Sequence, residues 1–360
     1  MGTTAHHAAG IGGGRAGVVG GSTVKTRFPH EVVVQRLSVP FTYPVVFTRN
    51  LFHPENPLFR DTVTRHGGHS VHRLFVCLDA GLAAANPRLA QRICRYVQRH
   101  SDRMTLVAEP FLVPGGEKAK CSRRLVSRLI ERFSTLRLCR QSFVVAVGGG
   151  SMLDVVGFAA SLVHRGLRLI RVPSTVEAQN DVGVGVKTGL DGHGVKNLVG
   201  TFAPPWAVLN DFALLDTLPR RDWIGGTAEA FKVALIKDRR FFDFLCRQAG
   251  RLAAGDRAAM ETLVRRCALL HLRHIREGGD PFEMGSARPL DFGHWSAHQL
   301  EVLSSYALRH GEAVAIGIAL DTYCAVRLGF LPASVLTRLL RALRRIGLPI
   351  WHPLLEKRRP

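Results

Sequence analysis

Nothing in these 360 residues is long and apolar enough to cross a membrane. The nearest candidate, AVAIGIAL, is stopped by Asp321, well short of the roughly 18 apolar residues a span requires. The amino-terminal MGTTAHHAAGIGGGRAGVVGGS has no compact apolar core of the signal-peptide kind, and His6 stands where N-myristoylation wants Ser or Thr. Residues 1–24 are expected to be a flexible Gly-rich lead, and no membrane partner is expected. No CxxC occurs among the seven cysteines, at 77, 94, 121, 139, 246, 267 and 324. That excludes a Cys-based zinc module, and the odd number favours reduced thiols in a cytoplasmic protein over a disulfide framework.

Acid is scarce as well. Against 49 Lys and Arg stand 28 Asp and Glu, a formal charge of +21. Such a surplus raises the question of nucleic acid. The arginines are spread along the chain, however, and no helix-turn-helix, zinc-finger or RNP pattern is present, so no nucleic-acid partner is expected. Lysine is scarcer still, with eight residues against 41 arginines. A chain this biased keeps Lys where a compact ammonium is wanted, because a planar guanidinium does not replace it. Lys120, Lys187, Lys196 and Lys232 all fall inside the motifs below.

What the chain does have is a change of period. RLFVCLDAG (73–81), MTLVAE, QSFVVAV and LRLIRVPST read as strands, and LAAANPRLAQRICRYVQRH, CSRRLVSRLIERFSTL and SMLDVVGFAASLVHRG as helices between them. Strand, glycine turn, helix, strand is a βαβ unit. It predicts a Rossmann-like α/β domain with a parallel sheet over 25–217. From about Thr217 strand signals stop, and apolar residues recur every three or four positions through AEAFKVALI, ETLVRRCALLHLRHI, HQLEVL, EAVAIGIAL and SVLTRLLRALRRI. An all-helical domain is expected over 218–360.

Gly148, Gly149 and Gly150 close a strand and open a helix, a turn that brings backbone N–H groups against phosphate. It is not GxGxxG, yet it suits a dinucleotide. Asp79 ends the first strand, where an acid holds ribose hydroxyls or simply forms a turn. AQNDVGVGVKTGLDGHGVKNLVGTFAPP, carrying Asp181, Lys187, Lys196 and Asn197, predicts a mobile loop for a polyhydroxylated, phosphorylated substrate. In the helical half, Glu229 and Lys232 are three apart and His294 and His298 four apart, so each pair shares a helix face. With His310 they offer what a divalent-metal site needs, since zinc takes imidazole and carboxylate readily. Spacing does not say which histidines are ligands, and HWSAH lacks the Glu of a zincin. Solvated helix histidines are the plain alternative.

Taken in order, VPGGEKAK, VGGGSMLDVVGFAASLVHRG, RVPSTVEAQNDVGVGVKTG, GVKNLVGTFAPP, TLPRRDW, GGTAEAFKVALI and DFGHWSAHQLE with LRHGEAVAIG closely resemble the 3-dehydroquinate synthase family of sugar-phosphate cyclases, over about residues 70–331. The resemblance implies NAD in contact with Asp79, Glu117, Lys120, Gly149, Gly150, Asp154, Ser174 and Thr175. It implies Zn2+, for which Co2+ can substitute, on Glu229, His294 and His310, with His298 then a catalytic or phosphate-side histidine. Arg165, Asp181, Lys187, Lys196, Asn197 and Lys232 match positions that meet a phosphorylated sugar. The implied reaction is transient oxidation of a hydroxyl, phosphate elimination, re-reduction and aldol closure of a heptulose phosphate, by a homodimer acting as a lyase.

Departures from the family pattern bear on the substrate. The Asn expected three residues before His294 is Asp291, an expected Lys is His271, and Arg288 stands one residue out of register. In the family such groups meet a substrate carboxylate, so an uncharged ketose phosphate such as sedoheptulose 7-phosphate is expected here. His298 is nonetheless retained, and the chain stops at EKRRP before the family's final segment. Together these features are similar to a divergent, EboD-like branch. Two other functions stand beside this one. A metal-dependent polyol or alcohol dehydrogenase shares the glycine turn, but Val155, Val156 and Gly157 after Asp154 lack its lysine. A non-catalytic basic binding protein on the same scaffold is the other.

Overall fold

Strands form where β-branched residues run together. β5 (Phe143–Gly148, FVVAVG) is buried at every position and lies at the heart of the sheet. The computed structural model describes residues 33–67, 70–278, 282, 284–285 and 288–356, so the expected lead at 1–24 lies outside them. The chain divides into two units, Met1–Pro40 and Phe41–Pro360. Of the first, Val33–Pro40 is exposed and carries no helix or strand. The rest of this description concerns the second.

Its strands are β1 (Val45–Thr48), β2 (His72–Asp79), β3 (Met104–Leu106), β4 (Phe111–Val113), β5, β6 (Arg168–Pro173), β7 (Lys187–Gly192), β8 (Val195–Phe202) and β9 (Ala207–Asp211). Seven make one sheet in the order β1-β9-β6-β5-β2-β3, with β4 also on β2, and all pairings in it are parallel. Both faces are covered. Leu74, Val76, Leu78, Val145 and Val147 enter one core, while Phe75, Cys77, Val144 and Ala146 enter the other. This is why these strands read as apolar runs instead of alternating. From β2 the chain steps outward to β3, then returns to lay β5 on the other side of β2. That reversal sits between β2 and β5, and an open α/β sheet binds ligands beyond the carboxyl ends of its strands at such a point.

After β9 every described element is helical. Thr227–Lys237, Arg239–Ala253, Arg257–Glu277, His294–Leu303, His310–Arg327 and Ala333–Ile346 pack around Phe231, Phe241, Leu245, Met260, Leu263, Ile316, Leu339 and Leu343. Each such side chain gains about 1.5–3 kcal/mol on burial. No described helix is long and apolar enough to cross a membrane.

Two parts differ from the sequence expectation. β1 and β9, short strands in PVVFT and WAVLND, carry too few residues to stand out from their Pro-rich flanks. The expected mobile loop is mostly ordered: a short helix, Val176–Asn180, then an antiparallel β7–β8 hairpin. Its glycines hid the strands, because they remove the alternation that marks a half-buried sheet. The span from Gly183 to Lys187 is held by Arg171, a buried β6 cation whose guanidinium donates to the carbonyls of Gly185 (2.8 Å) and Lys187 (3.0 Å).

Candidate active site

Register aligns one end of the site. Leu78 of β2 pairs with Val147 of β5, and Gly148 pairs with Pro173 of β6. Asp79, Gly148 to Gly150, and Ser174 with Thr175 therefore follow one another along the carboxyl edge. The helix Gly150–Leu162 starts at Gly149 with no side chain capping its N–H groups, which leaves them for an anion. Asp79 does both things the sequence allowed. Its Oδ1 accepts from the N–H of Gly81 (2.8 Å) and Leu82 (3.0 Å), capping the next helix, while Oδ2 lies against the Gly115 and Gly148 backbones, where a Cβ would come within 2.3 and 3.4 Å of it. Ser174 is buried, and the Thr175 hydroxyl caps the Val176–Asn180 helix.

The helical half brings three donors to one point. His294 opens its helix because Gly293 turns the chain at φ +77°. Gly317 of the His310–Arg327 helix packs so closely there that a Cβ would lie 1.9 Å from the Gly293 carbonyl. On Glu229, fully buried, Oε1 lies 3.2 Å from His294 Nε2 and 3.3 Å from His310 Nε2. Oε2 is 2.5 Å from Lys232 Nζ. Burial alone would raise the Glu229 carboxyl, but Lys232 and His294 outweigh it and hold it well below the usual range. A second trio shares His310: His298, Glu301 and His310 also present donor atoms within 4.8 Å of one another. His298 is driven down to about 4, first by burial and then by His310 and His294.

A second network lies alongside. Glu117 and Lys120 sit on the 3-10 turn Glu117–Cys121, Asp154 on the helix after the glycine turn, and Lys196 and Asn197 on β8. Lys120 Nζ is 2.7 Å from Asp154 Oδ2 and donates to Asn197 Oδ1 at 2.5 Å. Lys196 forms a close ion pair with Glu117, which also accepts from the Ser151 hydroxyl. Burial raises Glu117, yet Lys120 and Lys196 hold it down to about 2.

Glu301 joins the two networks and was missed in the sequence. Fully buried, it accepts from Lys196 Nζ at 3.2 Å through Oε1 and lies 3.1 Å from His310 Nδ1 through Oε2. Its signal was present, since 294, 298 and 301 fall on one helix face. His310 is lowered by burial, but Glu301, Glu177 and Glu229 outweigh that and raise it well above the ordinary imidazole value.

The other expected residues are dispersed. Asp181 meets the Glu229 network through Lys232 at 3.3 Å and lies 2.7 Å from His271. His271 is thus engaged by Asp181. Arg165 is exposed in a left-handed turn at φ +64°, and Lys187 is exposed at the start of β7. Asp291 and Arg288 are exposed too, with no side-chain bond to either network, so the structure gives them no part in the cluster.

Among known proteins, the 3-dehydroquinate synthase N-terminal pattern matches residues 110–225, and the C-terminal pattern matches 226–359. The 3-dehydroquinate synthase of Pelobacter propionicus is 35% identical over 293 residues, covering 79% of this chain and 80% of that one. The 2-epi-5-epi-valiolone synthase of Streptomyces glaucescens is 36% identical over 323 residues, 86% of this chain and 77% of that one. In structure the chain is similar to ValA, the 2-epi-5-epi-valiolone synthase from Streptomyces hygroscopicus subsp. jinggangensis 5008 with NAD+ and Zn2+ bound. The TM-score is 0.79 at 30% identity, over 89% of this chain and 85% of that one. Sequence and fold agree over both halves, and the chain belongs to the 3-dehydroquinate synthase family.

Proposed function

We propose that this protein is an NAD- and zinc-dependent sugar-phosphate cyclase, a phosphate-eliminating lyase that closes a heptulose phosphate into a carbocycle. The spacing of Glu229 Oε1 from His294 Nε2 and His310 Nε2, 3.2 and 3.3 Å, carries the reading. Bonds of about 2.0–2.1 Å at the tetrahedral angle hold zinc donors about 3.3 Å apart, which matches both separations, and all three donor atoms lie within 4.8 Å of one another. Co2+ suits the same donors. The bare helix N-terminus at Gly148 to Gly150 fits a pyrophosphate, with Asp79 Oδ2 beside it for a ribose. When bound, NAD removes and returns hydride at one carbinol carbon while zinc polarises that hydroxyl.

The chain's own groups supply the rest. Lys232, kept charged between Asp181 and Glu229, offsets negative charge that develops beside the trio. His298, kept neutral by burial and by the neighbouring imidazoles, would stand beside the trio as a hydrogen-bonding group for the reacting hydroxyl. Lys187, Asn197 and Arg165 would hold the phosphate end, and Lys120, Glu117, Asp154, Ser174 and Thr175 would line the nucleotide. An uncharged ketose phosphate is the preferred substrate. The support is the engagement of His271 by Asp181 and the density of carboxyls around the trio. Replacing a charge-assisted contact with none costs about 1.5–3 kcal/mol, or tenfold and more in rate.

The test is a panel of heptulose phosphates with NAD and zinc, following phosphate release. Sedoheptulose 7-phosphate is expected to exceed a heptulosonate 7-phosphate by about tenfold in kcat/KM, with no net NADH. A tenfold preference for the acid would make this an ordinary 3-dehydroquinate synthase. Net NADH from a polyol, without phosphate release, would replace the cyclase by a dehydrogenase.

A further inference from the structure

Arg171 stands where the core of a sheet calls for an apolar side chain. It lies in β6, paired with Ala146 of β5 on one side and with Val208 of β9 on the other. Strand side chains alternate, so it shares a face with Leu169, which enters the apolar core on that side of the sheet. Arg171 is nevertheless only 1% exposed, and among the described residues no carboxylate lies within ion-pair distance of it. Burying a charge in this way is costly, and what offsets the cost here is a set of backbone carbonyls. Nη1 donates to the carbonyls of Gly185 at 2.8 Å and Gly183 at 3.4 Å, and Nη2 to that of Lys187 at 3.0 Å. The two carbonyls between them are taken as well. Val184 accepts from the Tyr43 hydroxyl at 2.9 Å, and Val186 from the N–H of Ala203 at 2.8 Å.

All the carbonyls from Gly183 to Lys187 are therefore engaged, and three of them by one side chain. The near end of the span is pressed against β6 as well. A Cβ on Gly183 would come within 2.3 Å of the Ala178 carbonyl and 2.6 Å of the Pro173 ring. This span joins two groups expected to meet substrate. Asp181, which engages Lys232 and His271, stands just before it, and Lys187 ends it at the start of β7. A planar guanidinium holds several carbonyls in one fixed geometry, as a single ammonium does not. Without that fork the buried carbonyls of Gly183 and Gly185 lose their donor, and two glycines leave the backbone many other conformations. The separation of Asp181 from Lys187 would then no longer be fixed.

We propose that Arg171, with Tyr43 beside it, is a positioning residue: acting through the backbone of residues 183–187, it sets where Asp181 and Lys187 stand and so the affinity for a phosphorylated sugar. This rests on the cyclase reading above. The test is titration calorimetry on NAD- and zinc-loaded protein with sedoheptulose 7-phosphate and with a heptulosonate 7-phosphate, alongside phosphate release, for wild type, Arg171→Lys and Tyr43→Phe. Arg171→Lys keeps the charge and loses the fork. It should raise the Kd of whichever sugar phosphate the wild type binds by about tenfold or more, while the Kd values for NAD and for zinc hold within a few-fold. Tyr43→Phe removes one neutral hydrogen bond from the same span and should move the same Kd in the same direction by about fivefold. It carries the test where the lysine variant does not fold. A sugar-phosphate Kd unchanged in the folded variants overturns the assignment, and so does an equal loss of sugar phosphate, NAD and zinc, which would mark general support of the sheet. A lower Tm with unchanged Kd values marks a purely structural role and overturns it too. Binding by the wild type without phosphate release overturns the cyclase reading instead, because the Kd values of the variants are read independently of turnover. A wild type that binds neither sugar phosphate overturns both.

Discussion

At the scale of single residues, the site depends on which nitrogen of His310 faces Glu229. Glu301 is held as a carboxylate, its rise on burial outweighed by His310 and Lys196, and a carboxylate only accepts. Its contact with His310 Nδ1 at 3.1 Å therefore keeps a proton on Nδ1, so that a metal ion at the trio would take the place of the proton on Nε2. Glu301→Gln is expected to lower zinc affinity by about 10–100-fold, as loss of an orienting partner does, and His310→Ala to abolish it. Competition against a chelator measures both. Full zinc occupancy in His310→Ala would refute the ligand set. A greater loss in Glu301→Gln than in Glu229→Gln would move the ion to the trio with His298. Ligand chemistry marked Glu229, His294, His298 and His310 as a group in the sequence, and the family resemblance alone singled out three of them.

At the scale of elements, legibility followed length and composition. The fully apolar β5 and the long periodic helices were plain. The four-residue β1 and the glycine-rich β7–β8 hairpin were not. Lys196 and Asn197 reach Glu117 and Lys120 only because that hairpin is ordered. The glycine turn is the element whose role can be isolated. At Gly148 a Cβ would lie 2.7 Å from the Asp79 Cβ, so substitution there disturbs the sheet edge itself. At Gly149 the backbone is ordinary, φ −74°, and a Cβ would meet only the Thr175 methyl, at 3.3 Å. Gly149→Leu is thus expected to leave Tm within a few degrees while removing measurable NAD binding, because the side chain fills the space a pyrophosphate would approach. Unchanged NAD affinity in that variant, read by calorimetry, would mean the dinucleotide does not use this turn.

At the scale of the whole molecule, a chain of formal charge +21 gathers six of its acids in one place. Glu229 and Glu301 are fully buried, and Glu117, Asp154, Asp181 and Asp191 stand close by, balanced by Lys120, Lys196, Lys232 and a positively shifted His310. Such a cluster sits between the carboxyl edge of the sheet and the helices that follow β9, so a dication bound there couples folding of both regions. Binding to the native state alone adds RT ln(1 + [L]/Kd), about 2.7 kcal/mol when zinc is at 100 times its Kd. In a chain of 360 residues each kcal/mol is worth about 1–2 °C. Stripping the metal should therefore lower Tm by several degrees, restored by Zn2+ and by Co2+. Glu229→Ala should lack any metal-dependent shift, since the trio is then incomplete. Scanning calorimetry with and without chelator checks this, with metal content measured on the same samples. Identical transitions for loaded and stripped wild type would show that the cluster is stabilised by its lysines alone and that no ion of consequence binds there.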